Sequence, residues 1–202
     1  DVYADGYEWL CHSVSPRPLA TAPFRVTIGG PDCAKPYSAS VLNVSAMSFG
    51  ALSANAIRAL NGGARQGGFA HDTGEGGVSR YHREMGGDLI WEIGSGYFGC
   101  RRQDGTFCPD RFAKVAAEDQ IKMIELKLSQ GAKPGHGGVL PAPKVSAEIA
   151  AARGVPMGQD CISPPRHSAF STPVEFVRFL EELRRLSGGK PVGFKLCVGH
   201  RW

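Results

Sequence analysis

The chain has 202 residues, 42% of them hydrophobic and 21% charged, with a formal net charge of +4. That is enough apolar material to bury a single core, which excludes a disordered tail. No block of like charges marks a nucleic-acid arm or a polybasic membrane patch, so no nucleic-acid partner is expected. No apolar stretch approaches a membrane span and the start does not resemble a secretory signal, so the segment reads as soluble and cytoplasmic, with membrane anchoring of any parent left open.

The six cysteines are scattered without C-x-x-C spacing, which points to reduced, buried thiols, although a Cys100–Cys108 pair is conceivable. The chain starts at Asp1 without a methionine and stops at Trp202 soon after an apolar run, so both ends read as cut from a larger parent.

Residues 1–40 are rich in Pro, Gly and aromatics, with one extended candidate from Phe24 to Ile28, and read as an irregular lead-in packed outside the main core. After that, apolar runs alternate with helical patterns, as βαβ units and a parallel sheet require. Val41 to Ala46 reads as a strand, and Ser53 then caps a helix through Ile57 and Leu60 that stops at Gly62-Gly63. Phe69 to Asp72, Leu89 to Ile93 and Met123 to Leu128 are the next strands. In the last of these Glu125 and Lys127 alternate with apolar residues, as a barrel interior accepts near its mouth. Ser146 caps a helix ending at Gly154, and Asp160 to Ile162 is a short strand before Pro164-Pro165. Thr172, Pro173 and Glu175 open the clearest helix, with Val177, Leu180, Leu183 and Leu186 facing inward and Gly188-Gly189 as the stop. Val192 to Cys197 is the final strand. The fold class is therefore α/β: a partial (β/α)8 TIM barrel over residues 41–202, roughly its first six strands where a closed barrel has eight.

The residues suited to chemistry follow strands. Met47-Ser48-Phe49-Gly50, Thr73-Gly74-Glu75-Gly76-Gly77 and the loop from Gln130 to Gly138 would converge on one face of a parallel barrel. Their glycines are either tight turns or places where backbone N–H groups approach a planar ring or an anion. Lys195, late in an apolar strand, needs an acidic or electron-rich partner, either a carboxylate such as Glu75 or a reduced flavin. His136, between glycines, is either a proton donor or a hydrogen-bonded loop residue. His71, His82, His167 and His200 lack ligand-like spacing, and no metal is assigned.

Ser45 to Ser53, Thr73 to Gly77, Ile93 to Gly99, Gln130 to Gly138 and Ile162-Ser163-Pro164-Pro165 together resemble the FMN-binding synthase domain of the glutamate synthase family, in that family's order. The resemblance implies an FMN barrel that adds ammonia to 2-oxoglutarate and reduces the imine to glutamate by hydride transfer, or uses an amine to give an N-substituted glutamate. It implies that Met47 and Ser48 hold the isoalloxazine, that Thr73, Gln130 and Lys195 hold its ring edge, and that Gly74, Glu75 and Lys133 meet the oxo acid, with Lys133 and His136 as catalytic candidates. Electrons would come from an NAD(P)H-linked subunit or ferredoxin, ammonia from a possible glutaminase partner, and an iron–sulfur cluster would lie outside this chain. The sequence departs from the family at Val78, where an acid is usual, and at His136 and Val139, where Glu and Gln are usual; these departures are expected near the substrate. Two other readings are an FMN 2-hydroxy-acid or amine oxidoreductase, with Arg166-His167 at the mouth, and a non-catalytic truncated barrel used in assembly.

Overall fold

The computed structural model describes residues 5–6, 8–9, 13–16, 18, 21–22, 24–128 and 137–197. The lead-in is not wholly irregular, because β1 (Arg25–Ile28) and β2 (Tyr37–Ser40) form an antiparallel hairpin. Its Tyr37 and Ala39 pack with Ala70 and Met123, and Ile28 and Ile90 pack against that group. The Tyr37 hydroxyl donates to Asp88 at 3.0 Å. These contacts all lie at the amino ends of the parallel strands, so the hairpin covers the floor and leaves the opposite ends for chemistry.

The central sheet is parallel and four-stranded, in the order β3 (His71–Asp72), β4 (Leu89–Ile93), β5 (Ile121–Lys127), β8 (Val192–Lys195). The strand expected over Val41 to Ala46 contracts to a single parallel bridge, Val44 to His71. It is held by Val44 N–H donating to Ala70 O and Asp72 N–H donating to Val44 O. The helices fill the connections. α1 (Ala54–Gly67) is capped by Ser53, whose side chain accepts from Ala56 N. It does not stop at Gly62-Gly63. Ile57, Asn61 and Ala64 line one buried face through those glycines, and Asn61 bonds both backbone groups of Gly87. That face outweighs the helix cost of about 1 kcal/mol per glycine. The stop is Gly68, at φ +65°.

Short α2 (Arg80–Glu84) and α3 (Pro109–Ala116) were not legible in the sequence pattern. α4 (Ala147–Arg153) has the expected Ser146 cap and Gly154 stop. α5 (Pro173–Leu186) has the expected Thr172–Glu175 capping box. Its inward stripe is Phe176, Phe179, Leu180, Leu183 and Leu186, whereas Val177 is 51% exposed. The two aromatic rings reach the core, and Val177 lies off their i, i+3, i+4 row. The core sits between α3, α5 and one face of the sheet, where Trp91 stacks on Phe112 with centroids 5.2 Å apart.

Asp160 to Ile162 is not a barrel strand. β7 (Cys161–Ile162) pairs antiparallel with β6 (Val139–Leu140) in an excursion between β5 and β8 that packs on α4 through Leu140 and Cys161. A single 3-10 turn, Ala142–Lys144, follows β6. Among the described residues, the parallel array therefore holds four strands and one bridge rather than six strands. Cys100 and Cys108 are both free thiols, and burial pushes the Cys100 thiol far up.

Candidate active site

Strand alternation sorts the side chains. Leu89, Trp91, Ile93, Ile124 and Leu126 enter the helix-side core. Glu92 pairs in register with Glu125, Glu125 with Gly193, and Lys127 with Lys195, which brings these residues onto the other face. Asp72 joins them from β3, and one carboxylate oxygen each from Asp72, Glu92 and Glu125 lies within 4.8 Å of the others. Lys195 Nζ donates to Glu92 Oε2 at 2.7 Å and lies 4.0 Å from Glu125. Lys127 Nζ donates to Glu75 at 3.1 Å and lies 3.6 Å from Glu92 Oε1. The result is an ion-pair network at the carboxyl ends of β3, β4, β5 and β8, with the two ammoniums as its cations.

The electrostatics follow from enclosure. Glu92 has no exposed surface, and a buried carboxylate is tolerated only when paired. Burial, helped by the charge of Glu92, raises the Asp72 carboxyl well above the usual carboxylate range, and the Gly74 N–H bond offsets only part of this. Burial works against the Lys195 ammonium. The hydrogen bond and charge of Glu92 more than offset it, with Asp72 and Glu125 adding, so its pKa stands above the ordinary lysine value.

The expected site residues divide clearly. Lys195 sits at the mouth with its side chain 40% exposed, and its partner is Glu92 rather than Glu75. Glu75 instead holds Lys127. Thr73 is fully enclosed; its hydroxyl donates to Gly74 O and accepts from Glu92 N–H. Met47 N–H donates to Asp72 O, and its carbonyl accepts from His82 Nε2 at 3.0 Å. By contrast, the Ser48 N–H and hydroxyl donate to nothing among the described residues. Gly74, at φ +65°, lies so close to Ser48 that a Cβ there would come within 2.7 Å of Ser48 N. Gln130, Lys133 and His136 lie outside the described residues. Val78 enters the helix-side core beside Trp91, so its side chain is not at the mouth, while Val139 is exposed on the β6–β7 ribbon.

Three further residues shape the site, two of them, His82 and Arg153, without a predicted role. His82 accepts from Ser79 at Nδ1, so its ring is neutral, and its Nε2–H donates to the Met47 carbonyl and anchors the first loop. Burial pushes its pKa down to about 4. Arg153, at the end of α4, is 6% exposed, and among the described residues its guanidinium hydrogen-bonds Phe49 O at 3.4 Å and Cys161 Sγ at 3.7 Å. Its Nε has no partner, and it pairs with no carboxylate among the described residues. A Cβ at Gly50 or Gly76 would come within 3.3 or 3.2 Å of its Nη2. A buried cation beneath two glycine loops is chemically suited to an anion. His167, proposed from sequence as a mouth histidine, is enclosed. Its Nε2–H donates to Lys127 O at 2.8 Å, its Nδ1 takes the Tyr97 hydroxyl at 3.1 Å, and it stacks on Phe170. It ties the α5 approach to the end of β5 and has no nitrogen left for substrate. A cavity of about 730 Å3, walled by residues 164–171 and Glu175, lies beside that loop and is lined by no member of the ion-pair network.

FMN fits these residues on two counts: donors at Ser48 that no described residue accepts, and a charged lysine at the strand ends for the electron-rich edge of the ring.

Residues 32–202 match the family model described as the conserved region in glutamate synthase. The chain is 46% identical over 175 residues to the glutamate synthase large subunit-like protein YerD of Bacillus subtilis (strain 168), covering 86% of this chain and 33% of that protein. It is 36% identical over 167 residues to the archaeal-type glutamate synthase (NADPH) of Thermotoga maritima, covering 77% of this chain and 28% of that one. It is 38% identical over 160 residues to the archaeal glutamate synthase (NADPH) of Methanocaldococcus jannaschii, covering 78% and 28%. The chain thus spans a third or less of the length of these relatives.

Proposed function

Because the chain belongs to the glutamate synthase family, we propose that it forms part of an FMN-dependent barrel that reduces an imine of 2-oxoglutarate. The imine arises from ammonia or an amine, and the product is glutamate or an N-substituted glutamate. Residues 41–202 are the incomplete barrel and residues 1–40 its lead-in. The observation that carries this reading is the set of fixed cations on one side of the fold. Lys127 and Lys195 lie together at the strand ends, and the buried Arg153 lies under the glycine loops with no carboxylate partner among the described residues.

Each residue has a role in this reading. Ser48 donates to the ring from its N–H and hydroxyl, while His82 keeps the Met47 carbonyl, and so the loop, in place. Thr73 fixes the turn that presents Gly74 and Glu75. Lys195 and Gln130 hold the ring edge. Lys127, Lys133 and Arg153 meet the carboxylates of the oxo acid, where charge-assisted hydrogen bonds fix its carbonyl carbon. His136 is the proton donor. Bound there, FMN supplies the hydride. Electrons come from an NAD(P)H-linked partner or ferredoxin, ammonia from a glutaminase partner, and any iron–sulfur cluster from beyond this chain. The relatives named for NADPH support the first of these donors.

The test is anaerobic: the flavin of the full-length protein is photoreduced and then offered 2-oxoglutarate, ammonia or methylamine, and both together. Reoxidation that needs both substrates supports the reaction. Reoxidation by neither combination, or by the oxo acid alone, sinks it.

A further inference from the structure

Glu92 is a costly residue in its position. Its neighbours on the same strand, Trp91 before it and Ile93 after it, are apolar, yet this carboxylate is fully enclosed and shares its face with Asp72 and Glu125. Three acids crowded on one face repel one another, which burial makes worse. What the arrangement gains is two ammoniums held at the mouth. Glu92 stands between them: Oε2 accepts from Lys195 at 2.7 Å, and Oε1, which has no hydrogen-bond partner among the described residues, is 3.6 Å from Lys127. Without that anchor, the flexible and partly exposed lysine at the end of β8 would have many rotamers and a burial penalty on its charge.

We infer that Glu92 is the positioning residue of this site, fixing Lys195 in place and in its charged form at the cofactor's ring edge and setting the gap between Lys195 and Lys127. The inference rests on the flavin reading above for what Lys195 faces, but not for the state of the lysine itself. The groups facing Lys195 are Glu92 from β4, Glu125 and the register partner Lys127 from β5, and Asp72 from β3; Glu75, from the loop after β3, pairs with Lys127. Glu92 makes the one short bond among them, so its removal leaves burial unopposed at short range.

The experiment uses the full-length protein and its Glu92→Gln and Glu92→Asp variants. Without added FMN, the acylation rate of Lys195 by an amine-reactive reagent is followed by mass spectrometry from pH 7 to 11. With FMN, the dissociation constant is followed over the same range. In the unaltered protein, acylation should have its midpoint above the ordinary lysine value, and FMN affinity should stay flat through pH 9. In Glu92→Gln, the acylation midpoint should fall by at least about one pH unit, and FMN binding should weaken about tenfold as pH rises past it. Glu92→Asp should restore part of both. A Lys195 midpoint at or below the ordinary value in the unaltered protein overturns the inference even if neither variant folds. So do unchanged profiles in Glu92→Gln. If the unaltered protein binds no FMN, the flavin reading fails, and the acylation profiles still decide the role of Glu92.

Discussion

Replacing His71 by leucine should change how stability depends on pH, by an amount that can be worked out. His71 lies in β3 with no exposed surface, and neither ring nitrogen has a hydrogen-bond partner among the described residues. Burial, with a smaller contribution from His82, pushes its pKa from 6.5 down to about 4. The folded chain therefore refuses a proton that the unfolded chain accepts below pH 6.5. For a group whose folded value is depressed in this way, the neutral ring costs nothing above pH 6.5, and stability is lost as pH falls towards 4. The loss is about 1.4 kcal/mol per pH unit, or roughly 3 kcal/mol in all, a large part of a usual domain stability. His71→Leu removes this linkage and two unsatisfied nitrogens. It should be neutral or slightly stabilising at pH 7, and more stable than the unaltered protein by roughly 2–3 kcal/mol at pH 4.5. The raised Asp72 carboxyl has the opposite linkage, losing stability as pH rises, but it is common to both proteins and cancels in the difference. The assay is urea unfolding of each protein at half-unit steps from pH 4.5 to 7.5. Curves that stay parallel across that range would refute the argument.

Three further substitutions follow from the geometry. Gly74→Ala puts a Cβ 2.7 Å from Ser48 N at a φ of +65°, so it should shift the first loop, cost about 1–3 kcal/mol and lower FMN occupancy, read by thermal unfolding and the flavin-to-protein ratio. Arg153→Met keeps most of the buried volume but removes the cation; flavin content should hold while KM for the oxo acid rises roughly 10- to 100-fold, and an unchanged KM would contradict the anion role. Thr172→Ala removes the acceptor for Glu175 N–H in the capping box of α5, and should cost about 1 kcal/mol by chemical denaturation without changing FMN affinity.

Much of the scaffold is local in origin, and so was legible. The Ser53, Ser146 and Thr172 caps and the Leu89 to Ile93 strand follow from residues within a few positions of one another. What was missed depends on partners far along the chain. α1 runs through Gly62-Gly63 because Asn61 bonds Gly87, 26 residues away. Asp160 to Ile162 leaves the sheet because Leu140 and Cys161 find the α4 face. Phe176 displaces Val177 from the α5 stripe because its ring reaches Phe170 and Phe194. At the site, Met47, Ser48, Thr73, Gly74, Glu75 and Lys195 were marked by glycine-rich loops and by a lysine in an apolar strand. Glu92 and Arg153 were not singled out. An acid in a strand and an arginine ending a helix look like ordinary surface residues until the fold encloses them. The one usable hint was Glu92 itself, a charge inside an otherwise apolar run from Leu89 to Ile93.

The most direct test of the account is an FMN titration of the full-length protein freed of bound flavin, followed by quenching of flavin fluorescence, alongside a Lys195→Met variant. The account predicts one equivalent bound by the unaltered protein and binding weakened at least about tenfold in the variant. A protein that takes up no FMN, or a variant that binds it equally well, would contradict the claim that these strand ends form a flavin site.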